Sequence, residues 1–244
     1  MQAKLIRKGA RALGLKLDRN QEKAFLKLLG LLKQWSKRIN LTSITKDEDI
    51  ITKHFLDSLS CVLSGKIKDD ADVVDIGSGA GFPGIPIKIV KPDINLVLLD
   101  ALLKRAQFLI ETINILGLEE TEAIHIRVED FAKGNKREAF DIALARAVAP
   151  LSVLLEYGLP LLRVGGYLIA QKGKGATKEA ESTQTTARIL GGSIEEVREV
   201  LVPNLRAKRF LVLVRKDKPT SLKFPRRAGI PTKRPLRANK QIKD

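Results

Sequence analysis

Val73-Val74-Asp75-Ile76-Gly77-Ser78-Gly79-Ala80-Gly81-Phe82-Pro83-Gly84 is the stretch on which the reading of this chain turns. An apolar run ends in a loop where Gly77, Gly79, Gly81 and Gly84 recur every two or three residues, and a helix-compatible segment follows. Without a Cβ, such a loop turns sharply and brings backbone close to a ligand. Strand, glycine loop and helix in that order open a βαβ unit. Downstream, short apolar runs alternate with longer helical ones. Strands are expected over residues 72–76, 95–100, 123–128, 141–145 and 166–171, with helices near 84–90, 102–116, 151–162 and 178–190. Two further runs, 194–201 and 209–214, flank Pro203-Asn204 and read as an antiparallel hairpin. The expected fold is α/β and Rossmann-like: a mostly parallel seven-stranded sheet with helices on both faces. A hydrophobic fraction of 44% with only 5% aromatic suits a core of Leu, Ile, Val and Ala between such layers.

Upstream of the loop, Phe25, Leu28, Leu29, Leu32 and Trp35 fall at helical spacing, and Ile50, Ile51, His54, Phe55, Asp57, Ser58 and Leu59 continue in a second helical stretch. The expected organisation is a helical cap over 1–65, a Rossmann-like domain over 66–216 and a basic, extended tail over 217–244. That tail carries Pro219, Pro225, Pro231 and Pro235 among Lys and Arg. The net charge of +16 is segregated: +9 over residues 1–40, +12 over 205–244, and −5 in between. Two basic ends on an acidic body point to a polyanion such as nucleic acid. The lone Cys61 cannot form an internal disulfide, and no Cys/His cluster suggests a metal. Met1 is followed by no apolar leader, and no run of 18 apolar residues occurs, so a cytoplasmic protein without membrane insertion is expected.

The glycine loop fits two patterns. Gly79, Gly81 and Gly84 satisfy the dinucleotide-binding GxGxxG, while Asp75, Gly77, Gly79 and Gly81 satisfy the DxGxGxG of class I methyltransferases. Charge separates them. A dinucleotide presents an anionic pyrophosphate to the loop, which a carboxylate at its entrance would oppose. S-adenosylmethionine carries a sulfonium and an ammonium, which Asp75 would favour. Asp100, ending the second expected strand, stands where an acid would meet ribose hydroxyls, with helix capping as its ordinary alternative. Glu129, after the third strand, is placed for an adenine amino group. Three acids at three successive strand ends favour a class I S-adenosylmethionine-dependent methyltransferase.

Attack on a pyrimidine carbon usually needs a nucleophilic cysteine, and Cys61 lies in the cap. Exocyclic amine methylation typically uses an Asn/Asp-Pro-Pro-aromatic loop after the fourth strand, where this chain has Ala145-Arg146-Ala147-Val148-Ala149-Pro150. A ring nitrogen with an in-plane lone pair, such as guanine N7, needs neither, because orientation supplies most of the rate. Arg146 is then the candidate catalytic clamp, its planar fork suited to a base edge or phosphate. An ion pair with Glu129 or Asp141 is the alternative.

Asn40-Leu41-Thr42-Ser43, His54-Phe55-Leu56-Asp57-Ser58-Leu59, the string from Asp75 to Pro86, Lys104-Arg105 and Ala145-Arg146-Ala147 together resemble the bacterial ribosomal RNA small-subunit methyltransferase G family, also called glucose-inhibited division protein B. The resemblance covers roughly residues 20–215. It implies N7 methylation of one guanine in 16S ribosomal RNA with S-adenosylmethionine as donor. It places cofactor contacts at Gly77, Phe82, Val128, Glu129 and Arg146; Asp75, Gly79 and Asp100 follow from the general methyltransferase pattern. Lys172 resembles a family Lys-Gly that reaches RNA, with an ordinary exposed lysine as the alternative, and the stretch with Arg226 and Arg227 resembles an extension present in some members and missing from others, with RNA or ribosome contact as its implied role. His54 and Asp57, with Ser58, match a family motif for which helix packing and substrate contact both stand open. The expected partner is 16S ribosomal RNA or the small ribosomal subunit, met by a monomer. A nicotinamide-dependent oxidoreductase and a non-catalytic RNA-binding assembly protein are the competing readings.

Overall fold

The computed structural model describes residues 1–236; the end of the basic tail lies outside the described residues. The chain opens with α1 (Gln2–Ala12) and α2 (Arg19–Ser36). Asp18 starts α2 with a capping box: its carboxylate accepts from the backbone of Asn20 and Gln21, and the Gln21 side chain accepts from Asp18 N. The second helical stretch is composite. It runs through α3 (Asp47–Ile50), a π-helical turn (Ile51–Leu56), α4 (Asp57–Leu59) and a 3-10 turn (Ser60–Ser64). π turns are rare and concentrate where a side chain must be re-aimed for function. This one carries His54 and delivers Asp57 immediately after.

The α/β body follows as β1 (Asp72–Ile76), α5 (Gly84–Val90), β2 (Asn95–Asp100), α6 (Leu103–Leu116), β3 (Thr121–His125), α7 (Val128–Phe131) and β4 (Phe140–Arg146). It continues through α8 (Leu151–Gly158), β5 (Leu162–Lys172), α9 (Ala176–Ile189), β6 (Gly192–Val200), β7 (Arg209–Lys216) and α10 (Ile230–Lys233). The seven strands form one sheet in the order β3-β2-β1-β4-β5-β7-β6. The first five are parallel, and β7 is antiparallel to both β5 and β6. The expected hairpin thus forms with its second strand turned inward. The third strand stops at His125, not 128, and Val128 opens a helix; the helix expected over 151–162 ends at Gly158, before Pro160.

Alternate residues of each strand enter different layers. Val73, Leu96, Leu98, Ile142, Leu144 and Leu213 belong to one core cluster with Phe25, Leu28, Leu32 and Phe55 of the N-terminal helices. Val74, Val97, Ala143, Leu168 and Val212 belong to the other, with Leu154 of α8 and Ala180 of α9. The N-terminal apolar stripe is therefore continuous with the sheet's own core. Burial of a ring such as Phe25, fully inaccessible here, contributes about 1.5–3 kcal/mol. No helix among the described residues is long and apolar enough to cross a membrane.

Residues 217–236 are held to the body. Lys216, fully buried, donates to Glu138, Leu159 O and Thr220. Arg137 donates to the carbonyls of Thr220 and Phe224, and the Phe224 ring enters the second core cluster. The expected extended tail is thus a strap packed along α8.

Candidate functional site

Strand order reverses between β1 and β4, which opens a crevice at the carboxyl ends of the central strands, the place where open α/β sheets bind ligands. Asp75, near the end of β1, is 0% exposed; its Oδ2 accepts from Gly84 N at 2.9 Å. A Cβ on Gly84 would sit 2.7 Å from Leu98 Cδ2 and 2.8 Å from Asp75 Oδ2, so glycine is required for this approach. Asp75 Oδ1 is buried with no partner. Burial pushes the Asp75 carboxyl up to about 7, against the opposing pull of the Gly84 N–H and the Arg146 charge.

In the loop, Gly77, Gly79 and Gly81 take φ of +63°, +59° and +83°, the region that disfavours side chains. That turn aims Gly79 N at Asp100 Oδ2, 2.9 Å away, while Asp100 Oδ1 accepts from Leu102 N ahead of α6. Loop bracing and helix entry are thus both served by Asp100. Glu129 is 2% exposed on α7, its Oε1 accepting from Gly229 N at 2.8 Å and Tyr157 Oη at 3.3 Å. Val128 opens α7 and packs in the second core cluster. Three buried carboxylates thus gather at the carboxyl ends of β1 and β2 and beyond that of β3, one with an oxygen that lacks a partner, a donor set that would suit a cationic, phosphate-free nucleoside and oppose a pyrophosphate.

Beside the loop, Phe82 anchors a second set. The His54 ring stacks on it at 4.7 Å with 13° between planes, and the Arg146 guanidinium lies 4.9 Å from its centroid. Arg146 ends β4. The following Ala147, at φ +57°, holds a strained left-handed turn that marks the strand exit. Arg146 Nη1 donates to Asp57 Oδ2 and Lys53 O, both at 3.2 Å, and Nη2 meets His54 Nδ1 at 3.2 Å. A guanidinium only donates, so His54 Nδ1 accepts and Nε2 carries the proton, which it donates to Thr42 Oγ1 at 2.8 Å. Burial, with the Arg146 charge, lowers His54 to about 4 and keeps the ring neutral. Asp57, 3% exposed, holds Arg146 on Oδ2 and Arg209 Nε on Oδ1 at 2.9 Å. Burial raises the Asp57 carboxyl, and the two guanidiniums pull against it. Gln171 Nε2 adds bonds to Asp57 O and Oδ1. The cluster opens into a cleft of about 540 Å³ lined by Lys53, His54, Arg146, Lys172, Leu205 and Arg209 among others.

The family model described as rRNA small subunit methyltransferase G matches residues 21–208. The chain belongs to this family. Proteins named ribosomal RNA small subunit methyltransferase G are 43% identical in Alkaliphilus metalliredigens, covering 97% of this chain and 100% of the relative, and 47% identical in Thermoanaerobacter pseudethanolicus, covering 93% and 95%. A SAM-dependent methyltransferase from Aquifex aeolicus superposes with a TM-score of 0.52 at 18% identity, covering 69% of this chain and 93% of that one. M. jannaschii TYW2 in complex with AdoMet also gives 0.52, at 14% identity and covering 66% and 76%. Those two likenesses are of fold.

Within this methyltransferase G chain, several expected site residues stand otherwise than the sequence suggests. Arg146 pairs with Asp57, not with Glu129 or Asp141, because the cap lays α4 across the end of β4; Asp141 pairs with Arg163. Lys172, expected to be RNA-facing, is 11% exposed in its side chain and donates to Ala149 O and Glu179. Arg226 is bound to Glu156, whose side chain is 0% exposed, through Nε and Nη2, so its guanidinium is not free for RNA. Arg227 is exposed. His54 and Asp57 face the cleft while also bracing Arg146, and Ser58 Oγ bonds back to His54 O within the helix. Sequence reasoning missed Thr42, Gln171 and Arg209. Thr42 sits in the Asn-Leu-Thr motif, which signalled it without a role; nothing local marks Arg209 as a partner of Asp57.

Proposed function

We propose that this chain transfers a methyl group from S-adenosylmethionine to N7 of a guanine in 16S ribosomal RNA of the small subunit, acting as a cytoplasmic monomer. S-adenosylmethionine supplies a methyl group already bonded to a good leaving group, so the attacking nitrogen needs only a lone pair. Asp75 Oδ1 suits the ammonium, Asp100 the ribose hydroxyls and Glu129 the adenine amine, with Gly77, Gly79, Phe82 and Val128 shaping the walls. The observation that carries the reading is the state of the groups around Arg146. His54 has both ring nitrogens engaged and is neutral, and Asp57 is held by two guanidiniums. Cys61 is fully buried and its thiol is pushed far up. Among the described residues around this cleft none offers a free base or an activated thiol, which suits a ring nitrogen that loses no proton. Arg146, Arg209 and Lys53 bring positive charge to the O6 edge of guanine and the flanking phosphates.

The test is nucleoside mass spectrometry of 16S ribosomal RNA from a strain lacking the gene. One 7-methylguanosine should disappear and return with the wild-type gene but not with Asp75→Ala. An unchanged 7-methylguanosine content, or loss of a methyl from another atom, would refute the reading.

A further inference from the structure

The strap crosses α8 and ends on the residue assigned to the adenine amine. At its start Lys216 and Thr220 are bound to Glu138. Midway, Arg226 is paired with the inaccessible Glu156. At its end Gly229 N donates to Glu129 Oε1, and Thr232 Oγ1 meets Tyr157 Oη at 3.0 Å, the same hydroxyl that donates to Glu129. Gly229 stands at φ +80°, where the chain turns to present its N–H, and α10 follows at once. Both donors converge on Oε1; Oε2 accepts no hydrogen bond from any described residue. A carboxylate with one oxygen satisfied and the other free is fixed in rotation and offers a single acceptor. The family model itself ends at residue 208, short of this bracing.

We propose that residues 217–236 form part of the cofactor site, with Gly229, and Thr232 through Tyr157, acting as positioning residues that hold Glu129 so that its Oε2 selects an exocyclic amine. The inference rests on the assignment of Glu129 to adenine. The Arg226–Glu156 pair locks the strap down, because releasing it would strand the Glu156 carboxylate in the interior, while Thr220 adds a bond to the buried Lys216. The strap is therefore a fixed wall of the pocket.

The experiment uses the full chain and two ligands differing at one group: S-adenosylhomocysteine, and S-inosylhomocysteine, in which an oxo group replaces the amine. Titration calorimetry gives the ratio of their dissociation constants. A strap that only stabilises the fold would weaken both ligands together and leave the ratio unchanged. Wild type should prefer the amine by about 10- to 100-fold, the value of one hydrogen bond to a charged group. Glu129→Ala should bring the ratio near one. Gly229→Pro, which removes the N–H and cannot adopt the positive φ, should cut the ratio at least about threefold. The double variant Tyr157→Phe, Thr232→Val should do the same without altering the backbone, and it decides the matter if Gly229→Pro folds poorly. A ratio that collapses in Glu129→Ala but stays at the wild-type value in the strap variants overturns the inference alone. A wild type that does not discriminate overturns the adenine assignment, and this inference with it.

Discussion

Arg146 holds more partners than its place at a strand end suggests, and its neighbours set its behaviour. Its guanidinium spans Asp57, Lys53 O and His54 while lying on Phe82, a fork geometry that an ammonium cannot reproduce. Arg146→Lys is expected to lower the single-turnover methylation rate at least about 100-fold, read with a radiolabelled methyl donor. A mutant within threefold of wild type would remove Arg146 from the chemistry. His54 carries a pH signature. Its folded value, about 4, lies below the unfolded 6.5, so the native state binds fewer protons between those values. Stability should fall as pH drops from about 6.5 to about 4, by urea titration, and His54→Gln should flatten that part of the curve. Asp75 runs the other way. With a folded value of about 7 against 3.8 unfolded, ionising it in the folded protein is unfavourable unless a cation is supplied. S-adenosylhomocysteine brings an ammonium, so its affinity should rise with pH up to about 7, by as much as about tenfold per unit, and level off above. Calorimetry on Asp75→Asn should show no such rise.

Among the elements, the loop after β1 and the strap along α8 depend on backbone placement more than on side-chain volume. A methyl at Gly84 would press on Asp75 Oδ2 and Leu98, neither able to retreat in a packed core. The strap shows how an arginine that reads as a nucleic-acid contact becomes structural. Arg226→Ala leaves Glu156 buried without its ion-pair partner and should cost about 3–5 kcal/mol in denaturant unfolding, with little change in the salt dependence of RNA binding. Arg227, exposed one residue further on, should behave oppositely: Arg227→Gln should leave stability within about 0.5 kcal/mol. If Arg227 meets a phosphate, its loss should reduce the slope of log K against log salt by about 0.7. Filter binding at several salt concentrations checks both, and an equal response of the two variants would contradict the assignment.

At the scale of the molecule, part of the basic C-terminal stretch does not stay at the surface. Lys216 is interior, and Arg209 at the start of β7 serves the cleft. Net charge along the chain therefore overstates the charge free to meet RNA. The N-terminal helices lie on the sheet face that carries α5, and they bring His54 and Asp57 to the end of β4. The N-terminal helices thus line one side of the cleft around Arg146, through a π turn and the contacts around it.

The α/β class, the glycine loop, Asp75 and Asp100 at the ends of their strands and the place of Arg146 were legible in the sequence, since each depends on residues a few positions apart: apolar period, glycine spacing and the residue closing a strand. Glu129 stands instead on a helix, beyond a strand that ends at His125. The position of β7 between β5 and β6 was not legible, nor was the grip of Asp57 on Arg209, 152 positions away, or of Gly229 on Glu129, 100 positions away. Those contacts arise only when packed layers bring distant segments together, and burial then decides which charges are paired in the interior and which remain for a partner.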